Sequence, residues 1–263
     1  MLPRVAATKC AAVFMLAFAA FGAPVAAHAQ LRVDVVALDP AVLASPAPAA
    51  PEPFGLKTVP VAYGGLLAKW NGVAADIRAE SEVLAHCREG SAPCPPAAQK
   101  FLAVIADGRA HDGRARIGIV NRAVNLSIRP TSDLAQWGVP DRWSAPLATF
   151  TTGRGDCEDY AIAKYVALRA VGIAEDDLRL VIVHDLAMDE DHAVLLVRFE
   201  TSWIVLDNRW LTLVADSEMR RVVPLFVLAH DGVKRFAPAT VAEMHPAGAP
   251  ADVTTAAPGT LGN

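Results

Sequence analysis

The spacing of apolar residues divides the folded part of the chain into two halves, and the first half has a helical pattern. Apolar side chains recur at intervals of three and four over residues 66–86 and 97–106, as they do along one face of an α-helix. Residues 117–124 show the same period. We therefore predict at least three helices in the first half of the domain.

The second half changes period. Residues 158–171 predict one more helix, which Gly172 would end, because glycine readily adopts the left-handed conformation found after helices. Short runs rich in Val, Ile, Leu and aromatic residues follow at 178–183, 193–199 and 203–206 and predict strands. Helices followed by antiparallel strands are typical of the α+β class, which we assign to this domain.

The amino-terminal segment has the pattern of a secretory signal peptide. Residues 1–29 contain Arg4 and Lys9, then an apolar stretch, and end in the small-residue motif Ala-His-Ala. An uncleaved anchor helix is the alternative, but Gly22 and Pro24 interrupt the apolar stretch well short of the ~20 residues that span a bilayer. We therefore expect export to the periplasm.

Composition sets the limits of the folded domain. Residues 30–53 are rich in alanine and proline and predict a flexible linker, and residues 245–263 predict a disordered tail. The domain then extends over residues 54–244. Loss of the signal peptide would remove two positive charges and change the formal net charge from −4 to −6, which disfavours a nucleic-acid partner.

The cysteine count singles out one thiol. Cys10 lies in the predicted signal peptide, which leaves three cysteines in the exported protein. Cys87 and Cys94 bracket a short loop with glycine and proline, so we predict that they form a disulfide in an oxidising compartment. Cys157 remains unpaired, and a free thiol in that compartment is either deeply buried or in use.

The neighbours of Cys157 favour a nucleophile. The run GRGDCEDY at 153–160 places Cys157 where a glycine-containing loop enters a predicted helix. Unpaired backbone N–H groups and the helix dipole favour a thiolate there. An inert core cysteine is the alternative, although three flanking acids are a poor setting for one.

A cysteine nucleophile needs a base, and the base needs a group that orients it. His192 begins one predicted strand and Asp207 ends the next, so an antiparallel pairing would bring the two side chains together. His184 is the rival base. Asp207 is followed by Asn208, and the pair is also ordinary turn chemistry. Asn208 would orient the histidine instead if the strand register differed by one.

These motifs resemble a known family. The runs GRGDCEDYAIAKYVALRAVGI, DHAVLLV and WIVLDN resemble the bacterial transglutaminase-like cysteine peptidases over about residues 121–208. The resemblance implies a papain-like, transglutaminase-like fold with a helical first half and an antiparallel sheet in the second. It also implies Cys157 as nucleophile, His192 as base and Asp207 as its orienter.

The acids beside the cysteine suggest a metal. In one subgroup of the similar family such acids bind calcium, which here would involve Asp156 and Glu158, with Asp159 as a further candidate. Three carboxylates around a thiolate oppose its ionisation, and a divalent cation would relieve that repulsion. Alternatively, Asp156 caps the helix and the other two acids interact with its dipole.

The expected activity is hydrolysis of a peptide amide, with backbone N–H groups near the helix start stabilising the oxyanion. Trp137 or Trp143 would line the cleft. Acyl transfer to an amine and a non-catalytic binding module are the alternatives. The resemblance further implies a large surface adhesin as substrate and an inner-membrane regulatory protein as partner.

Overall fold

The structure is a computed structural model, and it describes residues 51–237. The predicted signal peptide at 1–29 and the predicted tail at 245–263 lie outside these residues, as does most of the predicted linker at 30–53. The predicted domain at 54–244 is therefore seen as far as residue 237.

Helices form the first part of the fold, as the apolar spacing predicts. The described helices are α1 (Gly65–Glu89), α2 (Pro96–Arg109), α3 (Gly113–Ser127), α4 (Asp133–Trp137), α5 (Pro146–Thr152) and α6 (Cys157–Ala170). Helices α4 and α5 were not predicted, because five to seven residues are too few to display a helical period. Within residues 51–237, no helix combines the length and the apolarity required to cross a membrane.

Strands dominate the second part. In chain order they are β1 (Thr58–Pro60), β2 (Arg129–Pro130), β3 (Arg154–Gly155), β4 (Leu178–Asp185), β5 (Glu190–Phe199), β6 (Ser202–Leu206), β7 (Val214–Ala215), β8 (Val222–Ala229) and β9 (Gly232–Phe236). Seven of them form one antiparallel sheet in the order β1-β9-β8-β4-β5-β6-β7. Strands β2 and β3 form a separate, short parallel pair. The α+β class is confirmed.

The three predicted strands match β4, β5 and β6, whereas β8 and β9 were not predicted. Strand β8 contains Pro224 and pairs with β4 through a shift of register next to Ile182. A proline inside an apolar run argues against a sheet strand, so the sequence pattern of β8 is obscured. The structure accommodates the proline at this irregularity.

The sheet has two covered faces. Along β5, Leu195 and Val197 belong to the large core between the sheet and the helices. The alternate residues Val194 and Leu196 pack in a second, smaller cluster on the other face. This alternation follows from the two-residue repeat of a strand, and burial on both faces explains why β5 is an almost continuous apolar run.

Helix α6 lies inside the domain. Every side chain from Glu158 to Leu168 is buried, and the helix packs against α2, α3 and α5 as well as against β5. A helix buried on all sides is expected to be apolar all round, so the charged residues of α6 are exceptions that need an explanation. Its amino terminus meets the sheet near the start of β5, and the candidate site lies there.

The end of the predicted linker is part of the fold. The carboxylate of Glu52 lies 2.8 Å from Nε of Arg179 and 3.3 Å from Nζ of Lys234. The carbonyl of Pro51 accepts a hydrogen bond from the indole of Trp203 at 2.9 Å. Residues 51 and 52, from the end of the predicted linker, therefore contact the domain.

The predicted disulfide is present. Cys87 in α1 and Cys94, just before α2, are bonded, with their Cα atoms 4.9 Å apart, and Cys157 is left as a free thiol. Both bonded cysteines pack against the edge of the main core. The bond closes the α1–α2 turn, so it limits the freedom of the unfolded chain at this point.

Replacing both Cys87 and Cys94 with serine should lower the free energy of unfolding by about 2 kcal/mol, because a short closed loop is released in the unfolded state. Denaturant unfolding of the parent and the double variant measures the difference. Dithiothreitol should destabilise the parent by a similar amount and leave the double variant unchanged. Peptide mapping that found Cys157 bridged to either cysteine would contradict the pairing.

Candidate active site

Cys157 is the first residue of α6, and only Asp156 separates it from the short strand β3. The backbone at Gly155 passes close to Asp159. A Cβ on Gly155 would lie 2.6 Å from a carboxylate oxygen of Asp159, so a larger residue would force a rearrangement there. The first backbone N–H groups of the helix have no acceptor within it. The sulfur thus lies at the positive end of the helix dipole, as the sequence predicted.

His192 and Asp207 form a buried pair. Nε2 of His192 lies 3.0 Å from Oδ1 of Asp207, and the two residues are 4% and 7% exposed. The contact follows from the antiparallel register of β5 and β6, in which Leu195 lies opposite Leu206. Burial alone would raise the pKa of Asp207. The effect of burial is outweighed by the hydrogen bond to His192, by the charge of His192 and by the hydrogen bond from the Arg209 backbone N–H. Together they hold the pKa of Asp207 below its ordinary value.

Cys157 and His192 line the same cavity, which has a volume of about 530 Å³. The thiol donates a hydrogen bond to Oε2 of Glu158 at 3.2 Å, and among the described residues no hydrogen bond joins the sulfur to His192. Because Nε2 of His192 faces Asp207, Nδ1 is the ring nitrogen left for the cysteine. The structure thus brings the three sequence-predicted residues to one site.

The rival residues have other contacts. Nδ1 of His184 lies 2.9 Å from Oδ1 of Asp191, and its Nε2 lies 3.4 Å from Asp189. The hydrogen bond that His184 donates to Asp191 raises the pKa of His184. Within residues 51–237, His184 is not among the residues that line the cavity of Cys157. Asn208 does not take the contact with His192, which Asp207 makes.

Only one of the two tryptophans lies in the cleft. Trp143 lines the cavity together with apolar residues of α1, β4 and β8. Trp137, at the end of α4, instead lies under the guanidinium of Arg142, 4.2 Å from the ring centroid to the carbon of that group. The expectation is therefore met by Trp143, and Trp137 has a packing role.

Acids from distant parts of the chain surround the start of α6. One group consists of Asp133, Asp156 and Asp159, each offering a carboxylate oxygen within 4.8 Å of the others. A second group joins Asp133 to Asp141 and Glu158 at the same spacing. The sequence predicted Asp156 and Glu158, with Asp159 as a further candidate. The structure distributes them over two overlapping groups that share Asp133.

The first group contains unsatisfied oxygens. Oδ1 of Asp133, Oδ1 of Asp156 and Oδ2 of Asp159 are buried without a hydrogen-bond partner. The other oxygen of Asp133 accepts from the Arg142 backbone N–H, and that of Asp159 accepts from the Ser144 N–H at 2.9 Å. Buried anionic oxygens without partners are costly, so the set is suited to a cation.

Asp156 does not cap α6. It occupies the residue before the helix, but its side chain makes no capping hydrogen bond to a backbone N–H of the first turn. The capping alternative is therefore wrong for Asp156, because its carboxylate is turned toward the other acids. These residues could hold a metal ion. Two oxygen ligands of one calcium ion lie up to about 5 Å apart, which is twice a calcium–oxygen distance.

Burial and mutual repulsion perturb this group. Burial, followed by the charge of Glu158, raises the pKa of Asp156 to about 8, and burial with the charge of Asp156 raises the pKa of Asp159 to about 8. Burial and the charge of Glu158 also raise the pKa of the Cys157 thiol above its ordinary range, against the opposing Ala193 backbone N–H. Burial and the charge of Glu158 therefore favour the neutral thiol of Cys157 over the thiolate.

Sequence reasoning missed Asp133 and Asp141 as members of the acid groups. Asp133 lies 23 residues before Asp156 in a region without a period, and its exposure is 1%. A buried aspartate in the first turn of a short helix has no local signature, so only the tertiary fold reveals it.

Comparison with known proteins identifies the family. The sequence profile of the bacterial transglutaminase-like cysteine proteinases matches residues 78–219, more than half of the chain. The chain belongs to this family. Membership in the transglutaminase-like cysteine proteinases supports a cysteine peptidase as the activity. A comparison with curated protein sequences gives no match.

Solved structures agree on the transglutaminase-like fold. LapG of Legionella pneumophila is 21% identical, with a TM-score of 0.50 over 62% of this chain and 90% of that one. An EGTA-treated form of it is 23% identical, with a TM-score of 0.50 over 60% and 85%. A calcium-bound form is 22% identical, with a TM-score of 0.40 over 53% and 88%. At this identity the likeness concerns the fold.

Replacing Glu158 with glutamine should lower the pKa of the Cys157 thiol in chelator-treated protein, because a negative charge next to the sulfur is removed at constant size. Alkylation by iodoacetamide at pH 7 should become about tenfold faster if the pKa falls by one pH unit. Glu82→Gln, at an exposed position of α1, is the matched control. An unchanged or slower rate in Glu158→Gln would contradict the electrostatic role.

Proposed function

We propose that this protein is a periplasmic cysteine peptidase that hydrolyses a peptide amide with a triad of Cys157, His192 and Asp207. The observation that carries the proposal is the buried His192–Asp207 contact of 3.0 Å at the cavity that the Cys157 thiol also lines. A nucleophile, a base and an orienting carboxylate are the parts that acyl chemistry requires. The cysteine proteinase family supports the same activity.

In this proposal Nδ1 of His192 takes the thiol proton as the sulfur attacks the carbonyl carbon of the substrate. The carbonyl oxygen gains the negative charge, and backbone N–H groups at the start of α6 stabilise it. His192 then gives its proton to the departing amine, which leaves an acyl-cysteine. Water, deprotonated by His192, attacks this thioester and releases the acid and the thiol.

Asp207 orients the base. Its Oδ1 accepts a hydrogen bond from the Nε2–H of His192, so the tautomer with a free Nδ1 is preferred. The carboxylate also stabilises the imidazolium that forms during attack. Asp207 is itself held by the Arg209 backbone N–H at 2.9 Å.

We further propose calcium as the ion at the acid groups, with Asp133, Asp156 and Asp159 as its main ligands and Glu158 beside them. The three unpartnered oxygens and the oxygen-only donor set fit a hard cation. When bound, the ion would supply positive charge that offsets the carboxylates next to the thiol. Glu158 links this group to the sulfur through its 3.2 Å contact with Cys157.

The location and the substrate belong to the same proposal. The Cys87–Cys94 disulfide suits an oxidising compartment, and the periplasm is the one that the amino-terminal pattern indicates. We propose an exported protein as substrate, with a large surface adhesin as the candidate. We also propose an inner-membrane regulatory protein as the partner. Incubation with exported proteins from the same cells, compared with Cys157→Ala, would reveal the substrate as fragments that the variant does not produce.

Acyl transfer to an amine would use the same triad and differ only in the second nucleophile. Adding a primary amine and examining the products by mass spectrometry separates the two reactions. A non-catalytic binding module would retain a thiol that reacts with iodoacetamide no faster than free cysteine does. Alkylation therefore distinguishes an enzyme from a module even before a substrate is found.

Cys157→Ala and His192→Ala should each abolish hydrolysis, whereas Asp207→Ala should retain some activity because the nucleophile and the base survive. The measurement is kcat/KM on an identified protein substrate, with thermal melts to show that each variant is folded. His184→Ala serves as the matched control and should keep most of the activity. Full activity in His192→Ala would transfer the role of base to His184.

Chelation by EGTA should lower both activity and the melting temperature, because the buried acids lose the charge that offsets their repulsion. Calcium should restore both, and magnesium should do so poorly, since it favours a small octahedral shell. Asp133→Asn and Asp156→Ala should make both quantities insensitive to the chelator. If EGTA leaves the parent unchanged in both, the acids hold no calcium.

A further inference from the structure

Lys164 is an ionisable residue in the centre of the domain that the proposed reaction does not use. It lies on α6, its exposure is 0%, and its Nζ donates a hydrogen bond to the Leu206 carbonyl at 3.2 Å. The ring of Tyr160 lies 5.9 Å from the same nitrogen. A fully buried ammonium group with one neutral acceptor and an aromatic neighbour is expensive to maintain.

The location of this contact relates Lys164 to the proposed triad. Lys164 follows Cys157 by seven residues, which is about two turns, so both lie on nearly the same side of α6. Leu206 is the last residue of β6 and immediately precedes Asp207. One side chain therefore connects the helix of the nucleophile to the strand end that carries the orienting acid.

Electrostatics support the connection. Burial lowers the pKa of Lys164 to about 7, and the charge of Asp207 acts in the opposite direction. A cation at this position also favours the ionised form of Asp207, which is the form that orients a histidine.

A second helix holds the next carbonyl. The side-chain amide of Asn125, on α3, donates to the carbonyls of Asp207 and Trp210, both at 2.9 Å. Consecutive carbonyls at the end of β6 are therefore bound by side chains from two different helices. The strand end is fixed from the helical layer and does not depend on the sheet alone.

We propose that Lys164 is a positioning residue, which ties the helix of Cys157 to the end of β6 and thereby fixes Asp207 relative to His192. The proposal rests on the proposed function of the triad. A stabilising role explains the residue poorly, because an apolar side chain of similar volume in place of a buried charge is often neutral or stabilising. The buried charge of Lys164 is better explained by the geometry that its side chain maintains.

Lys164→Met tests the role, because methionine has nearly the same length and no charge. Lys100→Met, at an exposed position of α2, is the matched control. The first measurement is the NMR signal of the Nε2 proton of His192, identified by its loss in His192→Ala. The others are kcat, KM and the melting temperature. The NMR signal requires no substrate, so it tests positioning even if the peptidase proposal fails.

In Lys164→Met the Nε2 proton should move upfield, kcat should fall by about 10-fold to 100-fold with little change in KM, and the melting temperature should be equal or higher. Lys100→Met should match the parent. In the Asp207→Asn background, Lys164→Met should have almost no further effect on kcat, because the two residues act in series. Should Lys164→Met fail to fold, Lys164→Gln, which keeps a polar amide, serves for the same measurements.

An unchanged His192 signal in folded Lys164→Met or Lys164→Gln would overturn the proposal. So would a loss of kcat that persists undiminished in the Asp207→Asn background, because Lys164 would then act elsewhere. A parent protein without peptidase activity but with a shifted His192 signal in Lys164→Met would instead refute the proposed function and leave the positioning role in place.

Discussion

The burial of α6 between the helical layer and the sheet is the constraint on which the rest of the structure depends. Its side chains from Glu158 to Leu168 are all buried, so the helix can take only one place and one rotation. This fixes its first residue, Cys157, near the start of β5. It also forces charged groups of the helix, Asp159 and Lys164, into the interior, where each needs a specific environment.

The two charged groups meet that need in different ways. At the amino terminus the acids gather around Asp133, each with a carboxylate oxygen within 4.8 Å of the others. Three of their buried oxygens have no hydrogen-bond partner. Protonation would remove their charge and a cation would offset it, and only the cation would also add positive charge beside the thiol. Two turns later, the ammonium group of Lys164 is turned to the carbonyl of Leu206 at the strand end.

The sheet contributes rigidity through its register. Antiparallel pairing of β5 with β6 brings His192 and Asp207 together at one end of the two strands. On the other side of β5 lie β4 and then β8, which pair with each other, so β5 and β6 lie within a broad sheet. The carbonyls of Leu206 and Asp207 are bound by helical side chains. The site thus lies where the helical layer meets the sheet. Because both layers are rigid, the distance between nucleophile and base varies little.

Local patterns in the sequence determined a large part of this protein. Helical periods in the first half and apolar runs in the second predicted α1, α2, α3, α6 and three central strands, because these elements bury one face or are buried throughout. The loop-to-helix junction at Cys157 and the strand ends at His192 and Asp207 were readable because each lies at a boundary between elements. The disulfide could be predicted from an odd cysteine count and a short loop.

Tertiary structure alone decided the rest. Strand β8, with Pro224 and a shifted register, becomes a strand only because β4 and β9 flank it. Asp133, in α4, lies 23 residues before Asp156 and joins the acids at the start of α6, and Lys164 reaches a carbonyl 42 residues away. Such contacts leave no period in the sequence. They depend on where whole elements come to rest, and that is set by the packing of the core and not by any one segment.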